Sequence, residues 1–149
     1  MLRTVVVVGS LLLGTSVVVA QQNVVAQTQT LMKNSGKSLG GVLGAMVKGD
    51  KPYDQAAVDG ALSQLNDLAK KLPDQFPDSV KGIETDGDYS ASPKIWTNRS
   101  EFNAQIASFT KAVSDATGKV KDLDSLKATL PTIAKQCGSC HEGFRVKNM

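Results

Sequence analysis

The chain has 149 residues, and its 17 lysines and arginines against 14 aspartates and glutamates leave a formal charge of +3 spread along its length. So small and dispersed a bias does not point to nucleic acid. Its two cysteines and single histidine are too few for a four-cysteine zinc site, and the length suits one domain around one core.

At the N-terminus, Arg3 precedes an apolar run from Val5 to Val19 that is broken only at Gly9, Ser10, Gly14, Thr15 and Ser16, and Val18-Val19-Ala20 offers a small-residue cleavage site. Residues 1–20 are therefore expected to be a signal peptide cleaved after Ala20, with residues 21–149 forming one exported domain. The run is short for a membrane span and gives way at once to Gln21-Gln22-Asn23, so the domain is expected to be soluble rather than membrane-embedded. An uncleaved anchor is the alternative.

From Asn23 to about Val47, the residues Val25, Thr28, Met32, Ser35, Leu39, Val42 or Leu43, and Met46 recur at helical steps and predict helix A. Gly36, Gly40, Gly41 and Gly44 are poor helix formers, so this helix depends on packing. Gly49-Asp50-Lys51-Pro52 ends it. Asp54 then caps helix B, whose stripe is Val58, Leu62, Leu65 and Leu68 or Ala69 and which stops before Pro73.

Residues 74–93 are rich in Asp, Gly, Ser and Pro and read as a long crossover, with Phe76 and Tyr89 as the side chains that anchor it to the bundle. Ser92-Pro93 reads as the N-cap and first position of helix C, which carries Phe102, Ile106, Phe109, Val113 and Ala116 to a stop at Gly118. Asn98-Arg99-Ser100 matches a glycosylation acceptor pattern but falls within this helix. Asp122 or Asp124 caps helix D, with the stripe Leu126, Leu130, Ile133, Cys137, Cys140 and Phe144 and with Pro131 inside it.

Helix D carries Cys137-Gly138-Ser139-Cys140-His141, the attachment pattern of a c-type haem. Two thiols on one helical face can add across the two vinyl groups of a porphyrin, and the adjoining imidazole then lies beneath the iron. A thioredoxin-like redox motif would need a βαβ setting, and a disulfide closing so small a loop would stabilise little. The expected cofactor is one covalently attached haem c with its iron, held in an all-α four-helix bundle.

This arrangement resembles the class II c-type cytochromes, the cytochrome c-prime family. Further matches are Gln29-Thr30-Leu31-Met32-Lys33 with Gly36, Met46-Val47-Lys48-Gly49, Pro52-Tyr53-Asp54, Pro93-Lys94-Ile95-Trp96, and His141 through Phe144-Arg145, so the resemblance spans the mature chain. It implies an antiparallel four-helix bundle with haem near one end, often dimeric. It further implies thioethers at Cys137 and Cys140, His141 as proximal iron ligand, and haem contacts from Gln29 and Arg145. The family's frequent arginine four residues before the distal position is Thr28 here.

Function in this family turns on the residue opposite the proximal histidine, and the matching residue is Met32. In an up-and-down bundle the start of helix A lies beside the end of helix D; Met32 is about ten residues in, ~15 Å along the axis, and Met46 a further ~21 Å. Met32 is therefore expected to be the distal ligand of a low-spin electron carrier. A Met32 that only fills space would leave a five-coordinate iron that binds or buffers small gases such as nitric oxide. A bundle bearing an accidental motif is the non-redox alternative. No nucleophile–base pair or phosphate-cradling loop suggests an enzyme. The expected partner is a redox protein, docked in the periplasm through Lys33, Lys37, Lys135 or Lys147, with a homodimer through helices A and B as a further expectation.

Overall fold

The structure, a computed structural model, describes residues 14–148, with side chains described from residue 21. Residues 1–13 of the expected signal peptide, and Met149, lie outside the described residues. The expected cleavage point after Ala20 falls inside the first helix, α1 (Gly14–Gly36).

Four helical rods form the bundle. The first is continuous from α1 through a π-helical segment, Lys37–Gly44, into the short α2 (Ala45–Lys48). The others are α3 (Gln55–Lys71), α5 (Arg99–Lys119) and α6 (Leu123–Phe144), with a one-turn α4 (Lys94–Thr97) before α5. α5 packs against α3 and α6, while the π segment packs against α3 and α6. Leu43, Leu62, Leu65, Val113, Leu126 and Ile133 are fully enclosed where the rods meet. Among the described residues no helix is long and apolar enough to cross a membrane.

Helix A departs from simple periodicity. Its fully buried residues are Ser38, Leu43 and Met46, whereas Ser35, Leu39 and Val42 are only half-buried. Ser38 and Leu43 are five residues apart, the hydrogen-bonding step of a π-helix rather than of an α-helix. The glycine-rich sequence, with Gly36, Gly40, Gly41 and Gly44, lowers the cost of the wider turn. Ser38 donates its hydroxyl to Gln64 Oε1 at 2.7 Å, which satisfies the one polar group the wider turn buries here. Gly49 closes the rod in the left-handed region, φ +84°, as a helix C-terminus prefers.

Helix B follows its sequence. The Asp54 carboxylate accepts from the Ala57 N–H at 3.0 Å, and Val58, Leu62, Leu65, Leu68 and Ala69 are buried. Helix C departs twice. Ser92 Oγ accepts the Lys94 N–H, but the helix so begun is interrupted at Asn98, φ −125° and ψ 45°, and restarts as α5. Gly118 does not stop α5: it keeps a right-handed backbone, and the helix ends where Val120 turns extended to bury its side chain. The expected stripe of Phe102, Ile106, Phe109, Val113 and Ala116 is buried throughout.

Asp122 caps α6 through a reciprocal box with Ser125, and the helix runs on through Pro131. The crossover is built of two short 3₁₀ turns, Leu72–Asp74 and Asp78–Val80, followed by a strand, β1 (Tyr89–Ala91). β1 pairs antiparallel with β2 (Arg145–Lys147), setting Tyr89 opposite Lys147 and Ala91 opposite Arg145. Phe76 is the buried anchor expected; Tyr89 is 44% exposed, and the crossover is held at that point by backbone pairing rather than by burial of its ring.

Candidate functional site

The site begins with the way α6 ends. The helix carries Cys137, Cys140 and His141 in its last two turns, and at Arg145 the chain leaves it for β2. Cys137 and Cys140 are half-buried and packed against the core cluster. Burial pushes the Cys137 thiol above its ordinary pKa, and burial followed by the neighbouring Cys137 does the same to Cys140. His141 is shifted the other way, first by burial and then by the Arg145 charge. Both effects favour the neutral imidazole, the form that ligates a metal.

His141 faces a cavity of about 690 Å³. From α1 the walls are Val25, Thr28, Gln29, Met32 and Lys33; from the crossover, Gln75, Phe76, Val80, Ile83 and residues around Tyr89; and from the C-terminal segment, His141, Phe144 and Arg145. Four residues singled out in the sequence, Gln29, Met32, His141 and Arg145, therefore meet at one cavity. Cys137 and Cys140 precede His141 on the same helix without lining it. Met46 is 3% exposed in the core, away from the cavity wall.

The crossover residues are what sequence reasoning missed. Gln75, Val80, Ile83, Thr85, Asp88 and Ser90 share no periodicity with the helices; the Asp78–Val80 turn reaches this wall by packing on α1, and the β1–β2 pairing holds the later part of the crossover there. Thr28, at the position where the family often has arginine, donates to the Val24 carbonyl at 2.8 Å and lies 3.2 Å from Gln75 Oε1. Of the four lysines expected around the site, Lys33 lines the cavity and Lys147 extends β2 beside it. Lys37 borders a second cleft, of about 620 Å³, between the first rod and α3, and Lys135 lies exposed on α6.

The donor set fits a covalently held haem. It combines two thiols three residues apart, the next residue's imidazole at a largely apolar cavity, and a thioether on another wall. Residues 23–145 match the family model described as Cytochrome C'. The chain belongs to the cytochrome c' family.

Relatives of this cytochrome include cytochrome c-556 of Rhodopseudomonas palustris, 57% identical over 99% of both chains. Cytochrome c' of the same organism is 38% identical over 98% of this chain and 97% of the relative. Among solved structures, the NMR-validated structural model of oxidised R. palustris cytochrome c556 has a TM-score of 0.75 at 56% identity, over 86% of this chain and 99% of that one. The cytochrome described here is accordingly a four-helix bundle that carries haem c with its iron by covalent attachment and serves electron transfer.

Proposed function

We propose that this cytochrome is a six-coordinate, low-spin electron carrier of the periplasm, exported by a signal peptide cleaved after Ala20. Cys137 and Cys140 would hold the haem through thioethers, and His141 and Met32 would ligate its iron. The observation that carries this reading is that Met32 of α1 and His141 of α6 line one cavity, while Met46 does not. When bound, the haem supplies a one-electron couple, and a thioether ligand raises its potential.

The chain's own residues set the conditions for that couple. Phe76, Val80, Ile83 and Phe144 exclude water from the cavity wall. The β1–β2 pairing fixes the crossover beside the helix that bears His141, so the site changes little as the electron arrives or leaves. Gln29 and Arg145 are the polar groups assigned to haem contact. With the single histidine committed to iron and no nucleophile–base pair, the protein is a carrier rather than an enzyme.

The docking partner is a redox protein with an acidic face that meets Lys33 and Lys147. A homodimer would use the faces of the first rod and α3 around the second cleft, which sedimentation of the purified protein tests. The optical spectrum of the oxidised and reduced haem protein tests the ligation. A low-spin spectrum is expected; a high-spin one that responds to nitric oxide would replace this reading with gas binding.

A further inference from the structure

Three aromatic rings form a column behind the cavity. Phe144 and Phe76 both belong to the cavity wall, and Phe102 of α5 meets each of them edge-on at 5.2 Å between centroids. Behind the column stands Arg99, the first residue of α5. Its guanidinium carbon lies 5.7 Å from the centre of the Phe102 ring, and its Nη2 donates to the Phe76 carbonyl at 3.0 Å. Its Nη1 is buried with no hydrogen-bond partner, and among the described residues no carboxylate pairs with it.

An arginine keeps its charge in such a setting. A single positive charge held beside aromatic rings, without a counter-ion and partly withdrawn from water, acts through a medium of low effective dielectric. Reduction of the haem adds one electron to the adjoining cavity, and a fixed positive charge favours that state. We infer that Arg99 is an electrostatic tuning residue that raises the reduction potential of the haem from behind the Phe76–Phe102–Phe144 column, without touching it.

The inference rests on the proposed placement of the haem against His141 and Met32. Haem staining on a denaturing gel and the wild-type optical spectrum test that placement separately. The tuning role is tested by spectroelectrochemical titration of the full haem-loaded protein and its Arg99→Gln, Arg99→Met and Arg99→Lys variants. Arg99→Met keeps an apolar stem against Phe102, so a neutral variant remains if Arg99→Gln does not fold.

The expected result is a lower potential in the neutral variants with the wild-type optical spectrum kept, a potential near wild type in Arg99→Lys, and a difference that persists at high salt, where exposed charges are screened. Neutral variants with the wild-type potential would overturn the inference. So would an Arg99→Lys potential as low as that of Arg99→Gln, because the role would then be the guanidinium's hold on the Phe76 carbonyl.

Discussion

The guanidinium of Arg145 lies 4.0 Å from the centre of the Tyr89 ring. One residue ends the helix that bears His141, and the other sits in the crossover between the second and third rods. Beside this contact the backbones pair as β1 and β2, the Ser92 N–H donates to the Phe144 carbonyl at 3.0 Å, and Asn148 Nδ2 donates to the carbonyls of Thr85 and Gly87. The crossover is thus stitched to the chain immediately after the attachment motif.

Tyr89→Ala removes the ring from Arg145 and leaves the backbone pairing and the Asn148 side chain to hold this end of the crossover. Native-state hydrogen exchange is expected to show faster exchange at the amides of β1 and of Ser92, with the amides of α3 unchanged. Equal protection in the variant would mean that the ring contributes nothing to holding the crossover.

Met32→Ala is expected to convert a low-spin haem protein into a high-spin one that binds carbon monoxide readily. The measurement is an optical spectrum before and after the gas is admitted. The double variant Cys137→Ser with Cys140→Ser is expected to lose haem staining on a denaturing gel altogether.

Two glycines give opposite expectations for the same substitution. Gly60 lies in the exposed interior of α3, where a Cβ would meet nothing within 4 Å, so Gly60→Ala is expected to stabilise the fold by about 0.5–1 kcal/mol. Gly49 holds φ +84°, and Gly49→Ala is expected to destabilise it by about 1 kcal/mol. Urea denaturation of the two variants at constant haem content reads both signs.

The Asp122 carboxyl is held below its ordinary pKa, first by the Ser125 N–H and then by the Ser125 hydroxyl. A depressed carboxyl contributes stability that is complete above its unfolded value, near 3.8, and that is lost as pH falls through the lower folded value. Asp122→Asn keeps a capping oxygen without this titration. The stability difference between wild type and variant, measured by denaturation from neutral pH into the acid range, is therefore expected to be constant above that window and to shrink within it.

What could be read from the sequence was what neighbouring residues decide. Asp54 and Asp122 cap their helices because each needs only a backbone N–H three residues on. The buried stripes of helices B and C needed only a face to turn inward, and the attachment motif carries its chemistry within five residues. That Met32 and His141 line one cavity was legible only because the bundle topology brings the ends of its rods together.

Much of the rest depended on contacts remote in sequence. Tyr89 looked like an anchor by its apolar ring, but its strand is held through Lys147 and Arg145, more than fifty residues later. Gly118 carried a stop signal that the burial of Val120 postponed by two residues. The break at Asn98 falls where no proline or glycine marked it; the side chain turns to Glu101 Oε2 at 2.7 Å, while the Asn98 carbonyl accepts the Phe102 N–H and starts a new helix.

The π segment between Met32 and Met46 works as a slip joint in the first rod. On an uninterrupted α-helix, aiming one methionine would aim the other, because the spacing between them nearly completes whole turns. With the wide turns at Lys37–Gly44 in between, the upper half of the rod is free to present Gln29 and Met32 to the cavity while the lower half seats Leu43 and Met46 in the core. Substitutions on one side of the joint then need no compensating change on the other.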